Sequence, residues 1–207
     1  MMTHKKIAVV FHSGHGHTEH IAQHVAHGAR SVHGTHAQLI EAASLTPAPD
    51  LLQEFDGLVW GSPTYLGGVS GVFKTFMDAT GGMWRRQQLQ GRLAAGFTVS
   101  SLPSGDKQST LMSMFVFSMQ HGMVWVGNPI LPEQHSGTPY DEAANRLGSW
   151  SGLMAQAGHA SPADAFAPGD VKTAHMFGQN FARKVHSFVP HAPHTPEQLA
   201  PAEAAAA

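Results

Sequence analysis

The chain has 207 residues, 12 Lys and Arg against 14 Asp and Glu, a formal charge of −2 and no cysteine. That length suits one domain, and the sparse, balanced charge argues against a nucleic-acid or anionic-membrane binder. Without cysteine there is no disulfide, no thiol catalysis and no thiolate-ligated metal or cluster. No apolar run approaches the roughly 18–20 residues of a membrane span. The first apolar run, Ile7 to Phe11, is too short for a signal-peptide core. A cytoplasmic protein is the expectation, and any redox chemistry falls to a bound cofactor.

Strands and helices alternate along the chain. Ile7–Phe11 reads as a strand covered on both faces. A Gly-rich turn follows, then a helix over about 18–29 with Ile21, Val25 and Ala29 inward. A weaker strand is expected at 36–40. Gly57–Trp60 reads as the third strand and runs into a loop, Gly61 to Gly68. The next helix, about 70–79, carries Val69, Phe73, Phe76 and Met77 on one stripe. Leu93–Val99 is the fourth strand, and its loop runs from Ser100 to Gly105. A helix over 107–120 is apolar on most sides, as in a core or a subunit interface. Met123–Val126 is the fifth strand. Residues 127–169 form an irregular segment at the site rim or an interface, with a helical piece near Ala143–Gln156. The last helix, about 171–188, repeats Ala174, Phe177, Phe181, Val185 and Phe188. Residues 1–189 thus make one domain, and the Pro-, His- and Ala-rich tail, 190–207, reads as disordered.

This alternation implies an α/β fold with a parallel sheet and right-handed crossovers. Ligands then sit beyond the carboxyl ends of the strands, so the loops after strands 1, 3 and 4 should converge. Ser13, Gly14, His15, Gly16, His17 and Thr18 lead from strand 1 into a helix N-terminus, where free N–H groups and the helix dipole favour phosphate. A P-loop is excluded, because it needs a Gly-Lys-Ser/Thr sequence. A dinucleotide loop keeps Gly14 and Gly16 but has Glu19 where a third glycine belongs; Glu41 would then be the ribose acid. A single phosphate monoester held by hydroxyls and amides fits better, and a plain glycine turn is the bland alternative. Pro63, Thr64, Tyr65, Leu66, Gly67 and Gly68 supply a rigid, partly aromatic wall of the kind a flat heteroaromatic ring needs.

These two loops resemble those of flavodoxin-like FMN proteins. Thr75-Phe76-Met77-Asp78-Ala79-Thr80-Gly81-Gly82-Met83-Trp84 resembles the "TFLDQTGGLW" segment of the WrbA-type NAD(P)H:quinone oxidoreductases. Gln120-His121-Gly122-Met123 resembles their "HHGM", and Gly137-Thr138-Pro139-Tyr140 their "GTPY". The match spans about residues 5–140. It departs at the third loop, where Leu102-Pro103 replaces a "TGTGGG" run. The resemblance implies a three-layer flavodoxin-like fold with a five-stranded parallel sheet in the order 2-1-3-4-5. It implies FMN as cofactor, NADH or NADPH as co-substrate, and two-electron reduction of a quinone. Nicotinamide and acceptor using one place in turn gives ping-pong kinetics, and the apolar excess of the 107–120 helix and the 127–169 segment leads to the expectation of a homodimer or homotetramer. Ser13 to Thr18 would hold the phosphate, with His15 also near the nicotinamide nucleotide. Pro63, Thr64, Tyr65, Leu66 and Gly67 would line the ring, and Val99, Ser100, Ser101 and Gly105 would complete the site. His121 would reach the flavin from the neighbouring subunit, and Trp84 would border the substrate face.

Other features have plainer readings. Nine of the 16 histidines fall in the first 36 residues. His20, His24 and His27 are therefore read as a polar, solvated helix face rather than a metal site. Trp125 and the aromatic stripe of the last helix read as core. Two rival functions remain: a one-electron flavodoxin-type carrier, and an FMN-binding module without turnover.

Overall fold

A computed structural model describes residues 4–189; the 190–207 tail lies outside the described residues. The order of elements is β1 (Lys5–Phe11), α1 (His17–Arg30), β2 (Thr35–Glu41), α2 (Ala42–Leu45), β3 (Gly57–Tyr65), β4 (Gly68–Val69), α3 (Gly71–Ala79), α4 (Gly81–Arg85), β5 (Leu93–Ser100), α5 (Lys107–Gln120), β6 (Val124–Trp125), β7 (Leu153–Gln156) and α6 (Pro168–Ser187).

β2, β1, β3 and β5 lie side by side, all parallel. The fifth place is shared. β6 pairs with Leu93 and Ala94 at one end of β5, and β7 pairs with Phe97 to Ser100 at the other. The expected parallel sheet of the three-layer fold is therefore present, but its last strand is split by the 126–152 connection. The alternating residues of β1 feed two cores. Val9 and Phe11 pack with Ile21 and Val25 of α1 and Phe177 and Phe181 of α6. Ala8 and Val10 pack on the opposite face with Trp60, Phe73, Phe76 and Phe117. Each core is thus a sheet face closed by helices, the arrangement that lets continuous apolar strands bury both sides.

α1 and α6 cross at two glycines. A Cβ at Gly28 would lie 1.8 Å from the carbonyl oxygen of His175, and one at Gly178 would lie 1.9 Å from that of Val25. The missing side chains let the two backbones touch.

Three expectations need correction. Gly61 to Tyr65 is not loop but a continuation of β3, with Ser62 and Pro63 in register with Thr98 and Val99 of β5. It turns back through Leu66 (φ 47°) and Gly67 (φ 80°) into β4. Two left-handed residues are what a tight two-residue hairpin demands. No helix forms at Ala143–Gln156. Asn145 (φ 46°) and Gly148 (φ 65°) adopt left-handed backbone there, and the chain then enters β7. The histidine face of α1 is not simply solvated. His20 stacks on Phe166 with ring centres 5.5 Å apart, and His27 meets His175 edge-on at 5.1 Å.

Candidate functional site

The carboxyl ends of β1, β3, β5 and β7 surround a cavity of about 310 Å³, within the range of small-ligand sites. Ser13, Gly14, His15, His17 and Thr18 line it from the first loop and the start of α1. Pro63, Thr64 and Tyr65 come from β3, and Val99, Ser100 and Ser101 from the end of β5. The three loops therefore converge as the strand order requires. A fourth contributor, Ala157-Gly158-His159 after β7, was not foreseen.

Gly16 closes the first loop with φ 82°, and α1 has no side-chain cap. Its leading N–H groups, which have no partner within the helix, are thus open to an anion. Ser13 Oγ is buried with no hydrogen-bond partner. A buried hydroxyl left unpaired is costly, so it marks a place where a ligand oxygen belongs. Tyr65 leans over this loop so closely that a Cβ on Gly14 would lie 2.6 Å from its hydroxyl. Behind it, Thr64 Oγ1 lies 2.8 Å from both Thr98 and Thr110 Oγ1, a hydroxyl cluster that fixes the end of β3 to β5 and α5. The fourth loop is tied down by Ala157 N–H donating to Ser100 O at 3.0 Å, and by a 3.1 Å contact of His17 Nε2 with Ala160 O.

The other expected site residues lie outside this lining. Leu66 is fully exposed at the hairpin tip, and Gly67 shapes the same turn. Gly105 (φ 51°) passes so close to Ser100 Oγ that a Cβ would sit 2.2 Å away. Glu41, the acid of the dinucleotide alternative, does not line the cavity. Trp84 and His121 meet in a separate cavity of about 690 Å³ with Met112, Val116 and Phe117. Trp84 lies on α4 and is half-exposed, whereas His121 is buried. His121 Nε2 bonds Thr80 Oγ1 at 2.9 Å, while its Nδ1 has no partner.

Burial lowers the pKa of His121, and burial is also the first cause for His12, His20 and His24. The folded state therefore binds fewer protons than the unfolded chain below about pH 6.5. Stability should fall as pH drops from 7 to 5, with His121 contributing a slope of no more than about 1.4 kcal/mol per pH unit. Urea midpoints measured across that range check it; an unchanged midpoint would contradict the buried neutral imidazole.

A family model described as NADPH-dependent FMN reductase matches residues 5–136. The chain belongs to that family. Flavodoxin FldP of Pseudomonas aeruginosa is 36% identical over 182 residues, 86% of this chain and 95% of the relative. An NAD(P)H dehydrogenase (quinone) of Chromohalobacter salexigens is 34% identical over 161 residues, 65% of this chain and 80% of the relative. The crystal structure of a WrbA-like flavodoxin from Agrobacterium tumefaciens superposes with a TM-score of 0.68 at 29% identity, covering 88% of this chain and 98% of that one. The expected WrbA-type resemblance is borne out, and this FMN reductase family member is an FMN oxidoreductase that uses NAD(P)H.

The cavity fits that cofactor. Its lining has no Asp or Glu to repel a phosphate, and the unpaired Ser13 hydroxyl sits beside the uncapped start of α1. Tyr65 and Pro63 offer flat and rigid apolar surface for a ring.

Proposed function

We propose that this protein is an NAD(P)H:quinone oxidoreductase that works by two-electron, ping-pong transfer. The observation that carries this reading is the convergence of the three loops on a cavity with an orphaned hydroxyl at an open helix N-terminus. It is supported by the quinone dehydrogenases among the relatives. Bound FMN would supply hydride acceptance from the nicotinamide and delivery to the quinone. The chain's own residues bind and orient. Ser13, Thr18 and the α1 amides hold the phosphate, with His15 and His17 beside them. Tyr65, Pro63 and Thr64 wall the ring, and Val99 to Ser101 close its edge. No acidic side chain lines the cavity, so solvent or His121 would supply the proton to the quinone.

The second cavity belongs to the same reading. Met112, Val116 and Met119 lie exposed along one side of α5, and the first two share a cavity with Trp84. This apolar stripe suits a homodimer or homotetramer in which Trp84 and His121 of one copy face the cofactor cavity of another. The sparse, balanced charge of −2 argues against a nucleic-acid partner. Among the described residues no helix is long and apolar enough to cross a membrane.

The test is spectroscopic and kinetic. Protein loaded with FMN should bleach on NADH or NADPH and regain colour with benzoquinone. Initial-rate plots at several quinone concentrations should give parallel lines; converging lines would rule out the shared-site scheme. Ser13→Ala should weaken FMN binding about tenfold by removing one charge-assisted hydrogen bond. Riboflavin, which lacks the phosphate, should bind the variant and the parent equally.

A one-electron carrier is the second reading, and the 36% identity to Flavodoxin FldP across 95% of that protein favours it. Such a carrier would oxidise NAD(P)H negligibly and would take electrons from dithionite in two separate stages.

A further inference from the structure

Lys107, the first residue of α5, is completely buried. Lysine almost never occupies such a place unless its charge is matched. Here the ammonium donates to the carbonyl oxygens of Leu102 at 2.5 Å and Pro103 at 3.1 Å. The adjoining carbonyls are also paired within the protein. Ser100 O accepts from Ala157 N–H, Ser101 O from the Gln156 side-chain amide at 3.2 Å, and Ser104 O from Lys107 N–H. Every backbone carbonyl from 100 to 104 is thus paired within the protein. Among the described residues, the N–H groups of Ser101, Leu102, Ser104 and Gly105 donate to no protein acceptor. The loop's carbonyls are thus paired within the protein, and of these free donors only that of Ser101 belongs to a residue lining the cavity. This is the segment that brings Ser100 and Ser101 to the cavity.

We propose that Lys107 is a positioning residue of the cofactor site. It holds the third loop's carbonyls within the protein, so that the Ser101 N–H at the cavity is kept for the electron-rich edge of the flavin ring. Its positive charge also favours the reduced cofactor over the oxidised one. This rests on the FMN reading above. It explains why a lysine is buried at a point where an apolar residue would cost less. Two charged groups face it. Asp170 at the start of α6 supports the ammonium, and Arg146 from the connection between β6 and β7 opposes it. Asp170 is itself held by Arg146 Nε and Nη2 at 2.8 and 2.9 Å. The loop carbonyls therefore carry much of the task of stabilising Lys107.

The experiment compares wild type, Lys107→Met and Lys107→Arg. Kd is measured for oxidised and for dithionite-reduced FMN between pH 7 and 9.5. Burial, the largest influence, brings the lysine to about 8. Wild type should therefore lose its preference for reduced FMN as pH rises through that value. Lys107→Met should bind oxidised FMN about tenfold more weakly, the worth of charge-assisted hydrogen bonds that hold the loop. It should also show no pH-dependent preference between the two forms. Lys107→Arg should restore the preference for reduced FMN but without its loss at high pH, because a guanidinium stays charged throughout that range. A folded Lys107→Met protein with wild-type Kd values and pH profile would overturn the proposal. If the variant does not fold, the wild-type profile decides alone, and a flat ratio from pH 7 to 9.5 overturns it. Failure of wild type to bind FMN at any pH would sink the functional reading as well.

Discussion

Replacing Asp170 with alanine should destabilise the protein by about 3–5 kcal/mol, because it strands a buried guanidinium. Asp170 is 1% exposed and Arg146 8%, and the two meet through a bidentate pair. Asp170 Oδ2 also accepts the N–H of Gln156 at 2.9 Å. Arg146 adds a contact to the Tyr140 ring, 5.0 Å from its centre. One carboxylate thus joins α6, the β6–β7 connection and the cavity end of β7. The loss should appear as a lower urea midpoint together with weaker FMN binding, since Gln156 anchors the third loop. The double variant Asp170→Leu with Arg146→Met should recover much of the stability, because a well-packed apolar pair often equals a buried ion pair. It should recover less of the FMN affinity. If the single variant unfolds at the wild-type midpoint, the pair is not the tie described.

The second large effect is expected at Gly178. Alanine there should cost about 3 kcal/mol, even though alanine exceeds glycine in helix propensity by about 1 kcal/mol. The new methyl would lie 1.9 Å from a backbone carbonyl oxygen of α1, which has no flexible side chain to yield. The helices must move apart, opening the core that holds Phe177 and Phe181. Gly81→Ala is the matched control. It also adds a methyl to a helical glycine, but nothing lies within 4 Å. It should be neutral or slightly stabilising, and equal melting temperatures for the two variants would contradict the close crossing.

Much of this was legible in the chain. Ile7–Phe11 and Leu93–Val99 are apolar runs with β-branched members, and a strand covered on both faces leaves just that trace. The 107–120 helix falls on its expected residues. The first loop was readable because Ser13, Gly14 and Gly16 stand between such a strand and a helix. β7 left no comparable signal. Leu153-Met154-Ala155-Gln156 has no β-branched residue and follows Ser151-Gly152, so it reads as helix or coil. It becomes a strand because Phe97–Ser100 of β5 offers it an open edge. Missing it hid the fourth cavity loop with His159. Lys107 was equally invisible, since a lone lysine at a helix start reads as exposed. Its burial depends on Leu102 and Pro103 carbonyls turned inward, a property of tertiary packing. Leu66 misled in the other direction, because a tight hairpin places it at an exposed tip whatever its hydrophobicity.

The divided fifth strand bears on synthesis. When the ribosome has released residues up to about 130, β1, β2, β3 and β5 can already assemble, with β6 covering only Leu93 and Ala94. The stretch from Phe97 to Ser100 then shows bare amide and carbonyl groups until residues 153–156 emerge. An uncovered edge of this kind recruits neighbouring polypeptides. Chains stalled or truncated between those points should therefore clump, and chaperone demand should peak over that interval of translation.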